Sequence, residues 1–441
     1  MKWILGIVAL LALGLALQLS QLIYAMYVLL GVLLLSRFFS RVWMARIEAR
    51  RFRDEEIWEI GGTVEVKVAI QNSGYWAVPW LLIEDALSRD ALTQWPPRLK
   101  ARGARVALIR LAPGEVHVLS YNVQFQRRGY YQLGPLLVET GDVFGLHRRW
   151  RVLTEPDFAL VFPKIVPLEG YNLRSRRPIG EIRLAHRLFQ DPTRMAGIRP
   201  FQQGDPLNRI HWRATARTGR LQSRVFESSR VAGATFLLDF HARSFPGPAA
   251  AGSAELAVVA VASLANAVFL TGQQMAFASN GRDAADRIRE DGWRAEFLTR
   301  RDAQLRASET GANTRLRPVV IEAAKGENQF SRILAALARL EHTDGLEFDA
   351  LLRECAPRIA RDATVVAVLG IVTPEIAAAL GDLVRRGLLV TALVVAFDVE
   401  PVPEWAKPPE WAEMLLAQGI DFRAVNSEEA ISALCSAAIV R

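Results

Sequence analysis

The stretch from Trp3 to Leu35 constrains this chain more than any other, because it carries no acidic, basic or histidine side chain over 33 residues. An α-helix needs about 20 apolar residues to cross a bilayer, so the stretch is too long for one upright span and slightly short for two. Polar residues at 18–21 predict a turn. We therefore expect a transmembrane helical hairpin. A single tilted anchor and a cleaved signal peptide are the alternatives, and either would place the rest of the chain outside the cytoplasm.

Basic residues flank the apolar stretch on both sides. Lys2 precedes it, and five arginines follow it, at Arg37, Arg41, Arg46, Arg50 and Arg51. Positive flanks stay on the cytoplasmic side of a membrane. The sequence therefore predicts a protein with two transmembrane helices whose soluble body faces the cytoplasm.

The net charge of +8 is concentrated in two segments. Residues 36–53 contain six Arg and one acidic residue, and residues 171–230 contain thirteen Arg, no Lys and four acidic residues, so the rest of the chain is net acidic. Arginine favours bidentate contacts with carboxylate or phosphate. At 441 residues the chain is long enough for two or three domains.

Residues 54–165 have the pattern of a small β-domain. Between Thr63 and Ile70, valines alternate with Glu65 and Lys67, as in a half-buried antiparallel strand. Gly, Pro and Asn turn signals recur between further apolar stretches. We predict a β-sandwich of immunoglobulin-like type. Its aromatic residues are interpreted as core, with a docking face as the alternative.

After Ala232 the pattern alternates between short apolar strands and helices, which is typical of a doubly wound α/β sheet with parallel strands. The predicted strands are 234–239, 274–278, 364–369, 388–396 and 422–425, and the predicted helices are 253–270, 330–340, 375–385, 411–418 and 428–437. Residues 292–316 are predicted to be an inserted loop. The predicted division of the chain is a membrane hairpin with a basic segment at 1–53, a sandwich at 54–165, an Arg-rich linker at 166–230 and an α/β domain at 231–441.

The linker contains a dense motif in which a Gly-Asp-Pro turn is followed by arginines interleaved with apolar residues. Its residues are Gly204, Asp205, Pro206, Arg209, His211, Trp212, Arg213, Ala216, Arg217 and Leu221. In order and spacing the motif resembles that of the bacterial proteins grouped as domain of unknown function fifty-eight. The resemblance implies that the α/β domain is similar to a von Willebrand factor A domain and that a MoxR-type AAA+ ATPase is a partner. We expect Asp205 to face guanidinium groups in a structural and docking element.

Von Willebrand A domains hold a divalent cation in an Asp-x-Ser-x-Ser loop after the first strand, since hard cations prefer oxygen ligands. Here Asp239 occupies the first position of that loop, but His241 and Arg243 replace the hydroxyl residues. Gly370 and Ile371 stand where a second Asp is expected. We therefore predict no metal and no cofactor, with Asp239 acting as an N-cap or as a partner of the basic segment.

The sequence contains no recognisable nucleotide-binding loop, nucleophile elbow or zinc-protease motif. His211 can titrate or act as a base, but it lacks a recognisable acid or nucleophile, so a structural hydrogen bond is the preferred interpretation. Cys355 and Cys435 are interpreted as buried thiols. The expected function is a membrane-anchored, non-enzymatic scaffold or adaptor that acts with the ATPase on an unknown client protein. The alternative is binding of a polyanion, either nucleic acid or anionic lipid, by the Arg-rich segment; nucleic acid is disfavoured because no known motif is present.

Overall fold

The computed structural model describes residues 2–52, 57–87, 92, 97–142, 145–168, 190–200, 211–228, 233–247, 250–291, 316–360, 363–395, 409–432 and 434. The chain divides into two compact units. The first comprises Met1–Phe162 and Ala284–Ala312, and the second comprises Pro163–Asp283 and Asn313–Arg441.

The apolar N-terminus forms two helices, α1 at Lys2–Ala16 and α2 at Ser20–Ala45. The break between them falls at the predicted turn, where the Leu19 amide donates to the Gly14 carbonyl at 3.0 Å. Two helices of the described chain are long and apolar enough to span a membrane, namely α2 and a helix at Ala250–Leu270. The latter is mostly buried, which is typical of a core helix. Only α2 therefore combines sufficient length with exposure.

The first unit continues as two β-sheets. The first sheet has the order β1-β3-β7-β5, and the second has the order β2-β10-β8-β4-β6, with β9 paired to β8. The strands are β1 Ile47–Phe52, β2 Ile57–Glu59, β3 Thr63–Asn72, β4 Val78–Leu87, β5 Leu99–Gly103, β6 Val106–Leu111, β7 Val116–Phe125, β8 Gly129–Gly141, β9 Arg148–Thr154 and β10 Asp157–Phe162. All pairings are antiparallel except that of β10 with β2.

Alternation along the strands puts apolar side chains of both sheets into one core. In β3, Val64, Val66, Val68 and Ile70 are buried as predicted. They cluster with Tyr121 and other buried side chains of both sheets. The two sheets therefore form a β-sandwich, which confirms this part of the predicted fold. The last turn of α2 contributes Trp43 and Met44 to the same cluster.

The second unit begins with a ribbon of two antiparallel strands, β11 at Gln190–Pro200 and β12 at Gln222–Ser228. A short helix, α3 at Trp212–Thr218, immediately precedes β12. These elements lie in the segment predicted to be a linker.

The rest of the second unit is an α/β fold around a six-stranded sheet. Its order is β16-β14-β13-β18-β19-β20, with strands β13 Gly233–Leu238, β14 Gln274–Ser279, β16 Val319–Ala324, β18 Ala363–Leu369, β19 Leu389–Val395 and β20 Asp421–Val425. A separate short pair consists of β15 Arg282–Asp283 and β17 Leu340–Glu341. The helices of this unit after α3 are α4 Ala250–Leu270, α6 Glu327–Arg339, α7 Phe348–Cys355, α8 Pro374–Arg385, α9 Glu410–Ala417 and α10 Glu428–Ser432. Helix α5, at Ala284–Asp291, follows α4 in the chain but belongs to the first unit.

Helices cover both faces of this sheet, because α4 packs with α6 and α10 while α8 packs with α7 and α9. The five predicted strands are parallel to one another, as expected, but the sheet has a sixth strand that was not predicted, β16, which runs antiparallel to β14. An edge strand has one partner only, so either direction satisfies its hydrogen bonds, and such edges are common on otherwise parallel sheets. Most of the predicted inserted loop, residues 292–315, lies outside the described residues.

Candidate functional site

The first candidate site lies at the carboxyl edge of the sheet, where β13 ends. Asp239 is fully buried there and accepts three hydrogen bonds. Ser244 Oγ donates to Oδ2 at 2.5 Å, while Asn280 Nδ2 and the His241 amide donate to Oδ1 at 3.0 Å and 3.1 Å. Burial raises the pKa of Asp239, against the lowering effect of these donors. The carboxylate is therefore held by protein groups on both oxygens.

Asn280 links Asp239 to neighbouring loops. It follows β14, the strand beside β13, and its Oδ1 accepts from the Phe240 amide at 2.7 Å. Its Nδ2 also donates to the Leu346 carbonyl at 3.0 Å. Sequence reasoning missed this residue. The available signal was its position directly after the strand adjacent to β13, because neighbouring parallel strands end at one edge.

His241 and Arg243 continue the loop towards the surface. The Arg243 amide donates to His241 Nδ1 at 3.1 Å, which places the proton of a neutral imidazole on Nε2. Nε2 lies 3.8 Å from Glu347 Oε1, which is beyond a good hydrogen bond. The exposed Arg243 guanidinium lies 3.5 Å from the same carboxylate.

Asp239 does not cap the helical turn that follows it, and a pairing of Asp239 with the basic segment stays a prediction because most of that segment lies outside the described residues. The cap of the short 3-10 turn Ala242–Ser244 is His241, not Asp239, and the partners of Asp239 are Ser244 and Asn280 rather than arginines. Gly370, at the end of β18, packs so closely that a Cβ there would lie 2.0 Å from the Ser244 carbonyl oxygen. No group of three or more metal-ligating side chains occurs among the described residues. Asp239 is a buried residue whose hydrogen bonds join the loops that follow β13 and β14.

The second candidate site is the described half of the motif. His211 caps α3, because its Nδ1 accepts from the Ala214 amide at 3.0 Å. Gly219 ends the helix at φ 63°, a left-handed conformation that glycine adopts readily. Thr215 Oγ1 then accepts from the Gln222 amide at 3.0 Å. Local hydrogen bonds therefore fix this helix on the strand that follows it.

The outer surface of α3 is solvent-exposed, and none of its residues is buried. Trp212 is 66% exposed, and Leu221 is exposed beyond the helix. Arg213 and Arg217 are exposed and lie four residues apart, so they share one face. Trp212 and Ala216 form the adjacent row. Neither arginine has an ion-pair partner among the described residues.

The other half of the motif, with Gly204, Asp205, Pro206 and Arg209, lies outside the described residues. The expected contact between Asp205 and several guanidinium groups therefore stays a prediction. Of the two cysteines, Cys355 is buried in α7, and burial raises the pKa of its thiol to about 11. Cys435 is outside the described residues.

These features define a class of protein with an apolar N-terminal helix, a β-sandwich and an α/β unit preceded by an Arg-rich capped helix. The resemblance predicted from the motif is confirmed, because residues 197–299 match the family model described as Protein of unknown function DUF58. The match includes every residue of the motif and Asp239.

The uncharacterized protein YeaD of Bacillus subtilis (strain 168) is 26% identical over 167 residues, which are 37% of this chain and 39% of that protein. The chain thus spans well under half the length of this relative. Among solved structures, the CARDB domain of the PF1109 protein from Pyrococcus furiosus is 16% identical, covers 26% of this chain and 86% of its own, and has a TM-score of 0.17. The ASH/PapD-like domain of human CEP192 is 13% identical. It covers 26% of this chain and 83% of its own chain, and the TM-score is 0.18.

Proposed function

We propose that this chain is a membrane-anchored, non-enzymatic scaffold or adaptor of the bacterial inner membrane. In this proposal it acts with a MoxR-type AAA+ ATPase to assemble or activate a client protein complex. The observation that carries the proposal is the exposure of α3. A motif that only stabilised the fold would bury its large side chains, whereas Trp212, Arg213 and Arg217 of the motif face solvent, and neither arginine has an ion-pair partner in the described part of the chain. Exposed Trp and Arg are the residue types that dominate protein interfaces.

The finer fold assignment belongs to the same proposal. The strand order of the α/β unit corresponds to 3-2-1-4-5-6 with an antiparallel first edge, and this order supports a von Willebrand factor A-like domain. Two antiparallel sheets around one core support an immunoglobulin-like sandwich. In the A-like domain, Asp239 bonds to Ser244 and Asn280 and stabilises the edge of the sheet.

The docking role can be tested by charge reversal on α3. The double variant Arg213→Glu/Arg217→Glu should fold like the parent, because both side chains are exposed, and should lose co-purification of the ATPase from gently solubilised membranes. The matched control is Lys325→Glu/Arg332→Glu, which reverses two exposed charges elsewhere in the same unit. Unchanged co-purification of the first variant would contradict the proposal.

A second candidate function is binding of a polyanion, and the exposed arginines Arg213 and Arg217 on α3 and Arg220 just beyond it favour this function. Nucleic-acid binding of this kind weakens steeply with salt, because phosphate contacts release counterions. If the double variant loses salt-sensitive binding to a nucleic acid or to anionic vesicles and keeps the ATPase, the second candidate replaces the first.

The proposed topology has both ends of the N-terminal hairpin in the cytoplasm. A reporter enzyme fused after Arg441 and active only in the cytoplasm should be active. A periplasm-specific reporter at the same position should be silent, and activity of that reporter would refute the orientation.

A further inference from the structure

Strand β9 of the sandwich lies along the C-terminal half of α2. Ser36 Oγ is 2.7 Å from His147 Nδ1, just before β9. Four residues later, Arg151 donates to the Met44 carbonyl at 3.3 Å and to the Ile47 carbonyl at 2.8 Å. Four strand residues span about 13 Å, and the eight helix residues from Ser36 to Met44 span about 12 Å. The strand and the helix therefore run side by side in the same direction.

This alignment brings three arginines together. Arg149 lies midway between His147 and Arg151 and on the same face of the strand, so it is level with Ser40 of α2. Arg37 and Arg41 are four residues apart on α2 and flank that level. The pKa of Arg149 is lowered, first by partial burial and then by the charges of Arg41 and Arg37. Within the described parts of the chain, none of the three has a carboxylate partner.

Exposed apolar and aromatic side chains lie next to this arginine cluster in the chain or pack on its helix. Leu146, next to His147, and Phe38, next to Arg37, are both exposed. Trp76, in the loop between β3 and β4, packs edge-on against Phe39 with ring centroids 5.9 Å apart, and neighbouring Tyr75 is 93% exposed. Exposed aromatic rings beside arginines at the end of an apolar helix are the pattern of a membrane–water interface.

We propose that Arg37, Arg41 and Arg149 bind the phosphate groups of anionic phospholipids, so that this end of the β-sandwich lies directly on the membrane surface. The proposal rests on the proposed anchoring by α2. The apolar part of α2 ends at Leu35, so the cluster begins two residues, or about 3 Å, beyond the hydrocarbon, where lipid phosphates lie. Guanidinium groups form bidentate bonds with phosphate, and an anion placed among them removes their mutual repulsion. Phe38 and Leu146, next to the cluster, reach into the interfacial layer.

The test compares lipids retained by the full-length chain. Protein in a nonionic detergent is mixed with equal amounts of dioleoyl phosphatidylglycerol and dioleoyl phosphatidylcholine, passed through gel filtration and examined by native mass spectrometry. The parent should retain phosphatidylglycerol preferentially, and Arg37→Gln/Arg41→Gln/Arg149→Gln should reduce the ratio of the two lipids by about tenfold or more, because each cation contributes separately to the attraction.

Three controls make the result specific. Lys100→Gln/Arg102→Gln/Arg110→Gln removes three exposed charges from other strands of the same sandwich and should leave the ratio unchanged. Replacement of the three cluster arginines by lysine keeps the charges and should preserve most of the preference. The single variant Arg41→Gln alters only an exposed side chain and should lower the ratio without affecting folding.

Different results would refute the membrane anchoring by α2 and the lipid-binding site. If the parent is released from membranes by alkaline carbonate, α2 is not a membrane anchor, and both the anchoring and the lipid site are refuted. If the parent stays in the membrane but shows no lipid preference, or if the triple glutamine variant keeps the preference, only the lipid site is refuted.

Discussion

The buried ion pair between Arg51 and Asp85 in the sandwich gives the sharpest prediction about stability. Arg51 is the fifth residue of β1, and its side chain is 5% exposed, while that of Asp85 in β4 is 0% exposed. Tyr121 Oη donates to the other carboxylate oxygen at 2.7 Å, and Arg51 Nη1 donates to the Leu133 carbonyl at 2.8 Å. Arg51→Met fills a similar volume but leaves the carboxylate unpaired. Breaking a buried pair in this way costs about 3–5 kcal/mol.

Hydrogen–deuterium exchange of the full-length chain in detergent measures this loss in β3, which pairs with the strand of Arg51, and in β7, which carries Tyr121. A loss of about 1.4 kcal/mol raises the equilibrium constant for opening tenfold. Amide exchange in β3 and β7 should therefore accelerate by roughly two to three and a half orders of magnitude. The strands of the α/β unit serve as an internal reference. The matched control is Lys67→Met in β3, which removes a surface pair with Glu65 at 2.9 Å whose side chains are about half exposed. Solvent screens that exposed pair, so Lys67→Met should leave exchange in these strands nearly unchanged.

The pH dependence of this destabilisation tests whether the unpaired Asp85 carboxylate causes it. Burial raises the pKa of Asp85, although Arg51 and Tyr121 lower it, and removing Arg51 removes one lowering influence. A carboxyl whose pKa is higher in the folded than in the unfolded state stabilises less as pH rises through the folded value. Arg51→Met should therefore be least harmful at acidic pH, and Arg51→Met/Asp85→Asn should cost less than the sum of the two single changes. Unchanged exchange in β3 and β7, or additive costs, would refute the reasoning.

Three further predictions concern the α/β unit and its motif helix. His211→Ala removes the cap of α3 and should weaken the helix by about 1 kcal/mol, seen as faster deuterium exchange at residues 212–218, whereas His211→Asn should retain most protection; equal exchange in both variants would contradict a capping role. Asp239→Ala leaves buried donors unsatisfied at about 1–3 kcal/mol each and should lower the melting temperature far more than the isosteric Asp239→Asn. Because burial raises the pKa of Asp239, its contribution to stability falls as pH rises above the unfolded value of about 3.9, and Asp239→Asn should flatten that dependence; identical pH profiles would count against it. Gly370→Ala forces a methyl group against the Ser244 backbone and should destabilise by about 1–3 kcal/mol, and a melting temperature equal to that of the parent would show that the loop yields freely.

Much of the secondary structure of the α/β unit could be predicted, because most of its strands and helices have a recognisable local sequence pattern. Continuous apolar runs bounded by turns gave β13, β18 and β19 within one or two residues of the observed bounds. The strand β16 and the helix α7 were missed. Val319–Ala324 contains Glu322, and its apolar and polar residues alternate only weakly. An edge strand has one neighbour and exposes several side chains, so its sequence needs no regular pattern. Phe348–Cys355 has only eight residues, which is too short for a periodic pattern to stand out.

The candidate sites were harder to predict, because their partners come from separate loops. Asp239 was identified from its position after β13. Its hydrogen bond to Asn280 depends on the order of the strands in the sheet, and a local sequence pattern does not predict that order. The same holds for Arg149. In the sequence it is one arginine among several, and it becomes part of a cluster only because β9 lies beside α2.

The junction between α2 and the sandwich explains why an anchor and a folded domain would be built as one body. Strand β1 begins two residues after α2 ends, and Trp43 and Met44 of the helix share the core that Ile47 of β1 also enters. Arg51 then fixes β1 to the opposite sheet through Asp85. A flexible linker would let the sandwich rotate freely about its anchor, whereas these contacts hold the end of α2 within the domain. If α2 is a membrane anchor, as proposed, its orientation therefore also fixes which part of the sandwich faces the membrane, and Arg149 of β9 lies beside the helix there.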